Sequence, residues 1–218
     1  MATRSFLISP ELEQYVVEHS EPPDVLQRTL IEETAALGGV SMMQISPEQG
    51  AFMTMLVRLV GARNAVEVGT FTGYSSIAIA RALPADGKLI CCDVSDEWTA
   101  IAHRYWIEAR VDSKIELRIA PALETLRALP PEPTIDFSFI DADKVSYAAY
   151  YEELVTRTRP GGLIACDNTL QSGNVIDATE TSENVVAIRA FNDLVASDDR
   201  VDTVLLPVAD GLTLLRRR

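Results

Sequence analysis

Oxygen-bearing side chains follow two apolar, β-rich runs of the sequence. Asp141 comes directly after the run 135–140, and Asp167 with Asn168 follows the run 162–166. Because the carboxyl ends of neighbouring parallel strands meet at one edge of a sheet, these three residues are expected to lie together. Two carboxylates and an amide form an oxygen-only ligand set that suits Mg²⁺ or Mn²⁺, or Ca²⁺ where coordination is looser. They therefore predict a divalent metal site.

Zinc binding and helix capping are the alternatives for these polar residues. The chain has two histidines, His19 and His103, and neither stands near the two strand ends in sequence, which argues against a zinc site. Acids and amides also cap helices that follow strands, and either pair alone is equally consistent with capping. Both pairs together, beside a glycine turn at the same sheet edge, favour a metal.

A glycine-containing turn follows the first β-rich run, 65–68. Gly69 and Gly73 bracket the turn, and a helical pattern begins at Tyr74. Glycine lets the backbone turn sharply and lets a ligand approach closely, although strand-to-helix connections also use glycine for structural reasons alone. Asp93 ends the second run, 20 residues after Gly73, where an acid can accept hydrogen bonds from both hydroxyls of a ribose. The combination predicts an adenosine-containing ligand.

The spacing of the glycines narrows the identity of this ligand. Gly69 and Gly73 are separated by three residues, and the turn lacks the G-x-G-x-x-G pattern that places a pyrophosphate on a helix N-terminus. Glu67, just before the turn, would repel phosphate but could hold a cationic amino-acid tail. NAD is therefore disfavoured, and a nicotinamide-dependent oxidoreductase, which would also use Asp93, is kept as the second enzyme class.

Seven β-rich runs must position these residues. They are residues 65–68, 88–92, 114–119, 135–140, 162–166, 201–208 and 211–216. Helical stretches separate the first five, which predicts a parallel α/β sheet covered on both faces. Ala209-Asp210 with Gly211 separates the last two and leaves no room for a helix, so an antiparallel hairpin is expected at the end.

The first sixty residues have a helical pattern. Helices are predicted over 10–20, 24–37 and 46–60, the last starting at Ser46 followed by proline. At 218 residues the chain is expected to form a single domain, with an N-terminal helical segment, 1–60, and a core, 61–218.

Composition excludes several classes of partner. The chain has 32 Asp and Glu against 19 Lys and Arg, a formal net charge of -13, which argues against binding nucleic acid or anionic lipid. No apolar run has the length of a signal peptide or a membrane span, so a cytoplasmic protein without membrane contact is expected. The three cysteines, Cys91, Cys92 and Cys166, lie in apolar runs and are expected to be reduced.

Several motifs carry a resemblance to a known family. The segments EVGTFTGYSS, FIDADK, RPGGLIACDN, AIRAFN and LPVADGLTLLRR resemble the caffeoyl-CoA O-methyltransferase-like family of cation-dependent enzymes, which is related to catechol O-methyltransferase. The resemblance runs from Met43 onward. It implies the Rossmann-like fold of S-adenosylmethionine-dependent methyltransferases, with a seven-stranded, mostly parallel sheet. It also implies methyl transfer to a hydroxyl of a catechol-like, vicinal dihydroxy phenol with the help of a divalent metal, Mg²⁺ first.

The resemblance also implies roles for particular residues. Metal binding is implied for Asp141, Asp167 and Asn168. Lys144, with Asp141, is implied in catalysis as the residue that takes or stabilises the acceptor's proton, although an exposed lysine at a helix start is the alternative. Contact with S-adenosylmethionine is implied for seven residues, Glu67, Gly69, Thr70, Ser75, Asp93, Ala122 and Asp143.

Departures from the family pattern limit what can be transferred. Gln171-Ser172 replaces the Trp-Asn common in plant members, so the acceptor pocket is expected to differ and caffeoyl-CoA is not assumed as substrate. Ala120 replaces a usual glycine, which is expected to leave the chemistry intact. The helices of segment 1–60 are expected to form a lid and a homodimer surface that exclude water. A non-catalytic S-adenosylmethionine-binding protein of the same fold remains the third possibility.

Overall fold

The computed structural model describes residues 7–218, and one seven-stranded sheet runs through them. Its strands are β1 (Asn64–Val68), β2 (Lys88–Asp93), β3 (Ile115–Ile119), β4 (Ile135–Ile140), β5 (Thr158–Cys166), β6 (Val201–Leu206) and β7 (Leu212–Arg217). Their spatial order is β3-β2-β1-β4-β5-β7-β6. The pairs among β1 to β5 are parallel, whereas β7 is antiparallel to both β5 and β6. This architecture confirms the predicted sheet and its closing hairpin.

Helices cover both faces of the sheet in the described part of the chain. They are α1 (Pro10–Glu18), α2 (Val25–Ala35), α3 (Pro47–Val60), α4 (Tyr74–Ala82), α5 (Asp96–Glu108), α6 (Ala122–Ala128), α7 (Tyr147–Arg157) and α8 (Glu183–Ser197). One core layer contains buried residues of α2, α3, α4 and α5, and the other contains those of α6, α7 and α8. Strands with both faces covered are rich in apolar residues, and all six residues of β4 are buried, four of them apolar.

The alternation of side chains explains this division. In β1, Ala65 faces the first core layer, while Val66 and Val68 face the second, as the two-residue period of a strand requires. Cys91, Cys92 and Cys166 are all buried. The sheet and its two helical layers thus leave one edge, formed by the carboxyl ends of the central strands, for a site.

The observed bounds differ from the predicted ones at a few places. Strand β5 begins at Thr158, four residues before the predicted start, because its register against β4 shifts and a bulge accommodates the segment around Gly161. The three predicted N-terminal helices are present with shorter ends, and Gly38–Met43 forms a 3₁₀ turn between α2 and α3. Residues 1–6 of the predicted N-terminal segment lie outside the described residues.

None of the helices between residues 7 and 218 is both long enough and apolar enough to cross a bilayer.

Candidate functional site

The carboxyl ends of the central strands meet where the strand order reverses, between β1 and β4. Successive backbone hydrogen bonds tie these ends together: Gly69 N donates to Cys92 O at 2.9 Å, Asp141 N to Val68 O at 2.8 Å, and Asp167 N to Ile140 O at 2.9 Å. In open α/β sheets, ligands bind in the crevice at such a switch point.

The glycine turn lies against the loop that follows β4. Gly69 has a φ of 93°, and a Cβ built on it would lie 1.9 Å from the backbone oxygen of Asp141. Only glycine allows both this backbone conformation and this approach. The turn after β1 and the first predicted metal ligand are therefore in direct contact.

Asp93 holds the glycine turn in place. Its Oδ2 accepts hydrogen bonds from the backbone N–H groups of Thr70 and Phe71 at 2.9 and 2.8 Å. Its Oδ1 accepts from those of Val94 and Ser95 at 2.7 and 2.8 Å. The acid predicted to bind a ribose thus also orders the loops on both sides of the cleft.

Glu67 is a buried carboxyl group at the end of β1. It is 0% exposed, and its Oε1 makes no hydrogen bond within the described chain. The Cys91 thiol donates to its Oε2 at 3.4 Å. Burial is the main cause that raises the pKa of Glu67 to about 8. Thr70 Oγ1 is buried and also lacks a partner within the described chain, so polar groups suited to a charged, hydrogen-bonding ligand collect beneath the turn.

Three cavities open along this sheet edge. The largest, about 580 Å³, is lined on its walls by residues that include Asp93, Trp98, Ala122, Leu123 and Asp143. A small cavity of about 20 Å³ contains Thr70 and Ser75 in its lining. The third, about 380 Å³, is lined by Met42, Met43, Asp141, Ala142, Asp143, Lys144, Asn168 and Asn184. Met43 and Asp141 line all three, so the cavities adjoin one another, and together they are called the cleft.

A network of polar side chains connects Lys144, which lines the third cavity, to the ends of β4 and β5. Lys144 Nζ lies 3.0 Å from Asp141 Oδ1 and donates to the Tyr147 hydroxyl at 2.7 Å. That hydroxyl is within hydrogen-bond distance of the backbone oxygens of Asp167, at 3.0 Å, and Ile140, at 3.3 Å. Lys144 is therefore fixed between two elements, and its side chain is only 13% exposed.

Asp167 is held from two sides. It is 2% exposed; its Oδ1 accepts from Asn168 N at 2.7 Å, and its Oδ2 accepts from Gln49 Nε2 at 2.8 Å. Burial first, and then the charge of Asp141, raises the pKa of Asp167 to about 7. Asn168 has a φ of 56°, a left-handed conformation that asparagine adopts more readily than most residues.

The donor chemistry fits a hard divalent cation. Across residues 7–218, no group of three His, Cys, Asp or Glu side chains could by itself hold a metal. The predicted ligand set has only two carboxylates, and its third oxygen comes from the Asn168 amide. Lys144, which lines the same cavity, is the cationic side chain paired with Asp141. A divalent cation would complement the charge of the two carboxylates.

The structure brings all of the predicted site residues to this edge. Nine of them line the cleft: Gly69, Thr70, Ser75, Asp93, Ala122, Asp141, Asp143, Lys144 and Asn168. Glu67 and Asp167 are buried directly beneath it. Their placement agrees with the predicted roles, which themselves stay predictions.

Sequence reasoning missed Gln49, Tyr147 and Trp98. Tyr147 follows Lys144 by three residues, a helical spacing that could have suggested their contact. Trp98 lies in the first turn of α5, where its place in the cleft has no sequence signal. Gln49 stands in a Ser-Pro-Glu-Gln segment that looks like a helix cap, so its pattern points to a different role from the contact observed.

Comparison with known proteins agrees with this geometry. The O-methyltransferase family profile matches residues 17–218. A Dictyostelium discoideum protein named probable caffeoyl-CoA O-methyltransferase 2 is 42% identical over 207 residues, covering 93% of this chain and 90% of that protein.

Two solved structures extend the comparison to three dimensions. An O-methyltransferase from Bacillus cereus in complex with SAH superposes with a TM-score of 0.87 at 34% identity, covering 95% of this chain and 97% of that one. TomG from Streptomyces achromogenes, an O-methyltransferase involved in tomaymycin synthesis that was solved with SAM, gives 0.86 at 28% identity, covering 95% and 96%. The similarity therefore includes both the cleft and most of the N-terminal helices.

Proposed function

Since the chain belongs to the O-methyltransferase family, we propose that it transfers a methyl group from S-adenosylmethionine to one hydroxyl of a catechol-like, vicinal dihydroxy phenol with the help of a divalent metal. Family membership confirms the resemblance predicted from the motifs and the predicted enzyme class, an S-adenosylmethionine-dependent O-methyltransferase. The acceptor class and the metal are the proposed parts.

One observation carries the proposal. The Gly69 turn touches the backbone of Asp141, and Asp141 lines both the large cavity beside the turn and the pocket that contains Lys144. A ligand seated on the turn therefore has one end next to the oxygen cluster. This proximity is what in-line methyl transfer between two bound molecules requires.

On the donor side, different parts of the ligand would make polar and apolar contacts. Glu67, buried with an oxygen that no group of the described chain satisfies, would hold a cationic amino-acid tail. Asp93, which lines the large cavity, would face the ribose, and Trp98, Ala122 and Leu123 offer apolar contacts for an adenine ring. These contacts would orient the ligand and exclude water from its reactive end.

On the catalytic side, Asp141, Asp167 and Asn168 would hold the metal. When bound, a divalent cation supplies Lewis acidity, which lowers the pKa of a coordinated hydroxyl and fixes its direction. Lys144 Nζ, at 3.0 Å from Asp141 Oδ1, would offset the charge that develops on the phenol oxygen as an ammonium group, or would accept the hydroxyl proton as a neutral amine. Mg²⁺ is the proposed ion, with Mn²⁺ or Ca²⁺ as alternatives.

The acceptor pocket suits a small aromatic molecule. Its volume is about 380 Å³, and Met42 and Met43 supply thioethers that pack well on aromatic rings. Lys144 is the one cationic side chain among its lining residues. Arg189, on the same helix as Asn184, donates to backbone oxygens of the loop 174–180, so its charge is already engaged. We therefore propose a free phenol as acceptor in preference to a thioester that carries phosphates.

Methyl-transfer assays test the function directly. The protein would be stripped with a chelator, reloaded with Mg²⁺, Mn²⁺ or Ca²⁺, and assayed by mass spectrometry with S-adenosylmethionine and catechol, a monohydroxy phenol and a catechol thioester of coenzyme A. We expect metal-dependent methylation of the free catechol. Undiminished activity after chelation would refute the metal, and equal rates with the monohydroxy phenol would refute the vicinal diol.

The same protein separates the two alternative functions. Thermal shifts with S-adenosylmethionine and with NAD distinguish the donor from a nicotinamide. Binding of S-adenosylmethionine without methylation of any catechol in a broad panel would favour the non-catalytic alternative.

We further propose that the enzyme acts in the cytoplasm as a homodimer, with segment 1–60 as lid and dimer surface. Support comes from α3, where Met55 and Leu59 are 57% and 76% exposed. The two residues are four positions apart on one helix and so lie on the same face, and contiguous exposed apolar patches mark contact surfaces. Sedimentation would measure the assembly, and an acceptor affinity unchanged by deletion of residues 1–40 would refute the lid.

A further inference from the structure

Gln49 connects the N-terminal helices to the end of β5. It lies in the first turn of α3 and is 0% exposed. Its Nε2 donates to Asp167 Oδ2 at 2.8 Å across 118 residues of sequence. In this contact the amide nitrogen donates and the carboxylate accepts, which is the arrangement that an ionised, metal-binding carboxylate requires.

A second glutamine in the molecule shows how a glutamine at the third position of a helix can cap the helix N-terminus. Gln27 is also the third residue of its helix, α2, after an Asp24 cap; its Oε1 accepts from Asp24 N at 3.1 Å, and its own N donates to Asp24 Oδ1 at 2.8 Å. That is a complete capping box. Before α3, Ser46 Oγ accepts from Gln49 N at 3.4 Å, but the Gln49 side chain turns away to Asp167.

Because the Gln49 side chain does not cap α3, its amide oxygen is left without a hydrogen bond within residues 7–218. No group of the described chain donates to its buried Oε1. A buried amide with only one of its two ends paired by protein is unusual for a purely structural residue. What the arrangement achieves is control of Asp167, because Gln49 Nε2 takes one carboxylate oxygen while Asn168 N takes the other.

We propose that Gln49 is a positioning residue that fixes the plane of the Asp167 carboxylate for metal binding and thereby links α3 to the metal site. The inference rests on the proposed metal-dependent function. Partners that orient metal ligands typically change metal affinity or activity by about 10- to 100-fold when they are removed. Asp167 lies at a strand end beside Asp141, and an orienting partner such as Gln49 would turn one of its lone pairs toward a shared cation.

The test replaces Gln49 with methionine, which has similar length and no N–H group. Mn²⁺ affinity is measured by electron paramagnetic resonance of the free ion, and S-adenosylhomocysteine affinity by calorimetry. We expect the Mn²⁺ Kd of Gln49→Met to rise about 10- to 100-fold, with cofactor affinity within twofold of wild type. Saturating Mn²⁺ should then restore most of kcat.

Gln27→Met is the matched control. It removes a glutamine from the same helix position but breaks only the capping box, so a slightly lower Tm and an unchanged Mn²⁺ Kd are expected. If Gln49→Met does not fold, Gln49→Asn replaces it, because an amide shorter by one methylene cannot keep the 2.8 Å contact. An Mn²⁺ Kd within twofold of wild type in the folded variant overturns the positioning role.

Wild-type behaviour separates the positioning role from the metal function on which it rests. If the wild-type protein methylates catechol without binding Mn²⁺, the proposed metal function fails, and the role of Gln49 fails with it. If the wild type binds Mn²⁺ and Gln49→Met binds it equally well, only the positioning role is lost.

Discussion

The two halves of the cleft are built in different ways. The donor half takes its main polar residues from the stretch between Glu67 and Asp93, and bonds from backbone N–H groups to the Asp93 carboxylate hold it. The catalytic half draws on Met43, Gln49 and the stretch from Asp141 to Asn184, and side chains hold it. Residues that are close in sequence can be recognised from a motif, as in the donor half. The catalytic half depends on contacts between residues that are distant in sequence.

A buried carboxylate in each half illustrates the contrast. Glu67 has an oxygen that no group of the described chain satisfies, whereas both oxygens of Asp167 accept hydrogen bonds. Burial raises the pKa of both, to about 8 and about 7. The Glu67 carboxyl group is therefore left with an oxygen that a ligand could satisfy, whereas the Asp167 carboxylate is already oriented by protein donors.

The largest expected effect comes from adding a side chain at Gly69, where the donor half packs against the backbone of the catalytic half. Gly69→Ala would place a Cβ 1.9 Å from the Asp141 oxygen at a φ of 93°, so the turn and the β4 loop must both shift. We expect methyl transfer to fall below detection and Tm to decrease. Gly61→Ala is the control, since its φ is 65° but its Cβ would meet nothing within 4 Å; it should cost only about 1–2 kcal/mol for the backbone. Equal effects of the two variants would contradict the close approach.

Asp141→Asn should separate the halves functionally. The variant keeps the shape of the side chain but removes its charge, so metal binding should weaken while the donor half stays intact. Loss of several kcal/mol of transition-state stabilisation predicts a decrease in kcat of roughly 10³-fold. Calorimetry with S-adenosylhomocysteine should give an affinity close to wild type. A variant with normal turnover would show that Asp141 is not a metal ligand.

Lys144→Met tests the proton-handling group within the catalytic half. The substitution keeps the length of the side chain and removes the ammonium group that contacts Asp141 and Tyr147. We expect kcat to fall about 100-fold, within the range usual for general acid–base groups, at unchanged cofactor affinity. Arginine at this position would restore charge but not a removable proton, so rescue by Lys144→Arg would favour a purely electrostatic role.

Glu67→Gln should produce the smallest effect, on pH dependence. In the free protein burial raises the pKa of Glu67 to about 8 from 4.5, so its protonated form is favoured at neutral pH and ionisation costs stability as pH rises from about 4.5 to 8. A cationic ligand tail favours the ionised form, so binding releases a proton below pH 8. Wild-type affinity should increase by at most about tenfold per pH unit up to pH 8.

The measurement is calorimetry of S-adenosylhomocysteine in two buffers with different ionisation enthalpies. At a pH of about 6.5 to 7 the carboxyl group is mostly protonated, so the wild type should release close to one proton on binding, and Glu67→Gln should release less. The variant should also be the more stable of the two proteins at pH 8, because it carries no buried charge there. Identical proton release would place the cationic tail elsewhere.

Motif spacing and hydrophobic periodicity were sufficient to predict much of the molecule. The alternation of apolar runs and helices predicted the sheet, and Ala209-Asp210 with Gly211 predicted its final hairpin, because both depend on local chemistry. Gly69 and Asp93 were recognisable for the same reason. The order of the strands, with β1 beside β4, depends on how the crossovers pack, and no local pattern encodes that packing.

Contacts between distant residues were decided only by packing. The partner of Gln49 lies 118 residues away, and the local pattern around Ser46 points to a cap instead. The fourfold backbone bonding of Asp93 and the Lys144–Tyr147 pair likewise arise when separate loops meet. Local propensities act over a few residues, whereas the hydrogen bonds that orient the catalytic half form after burial has brought remote segments together.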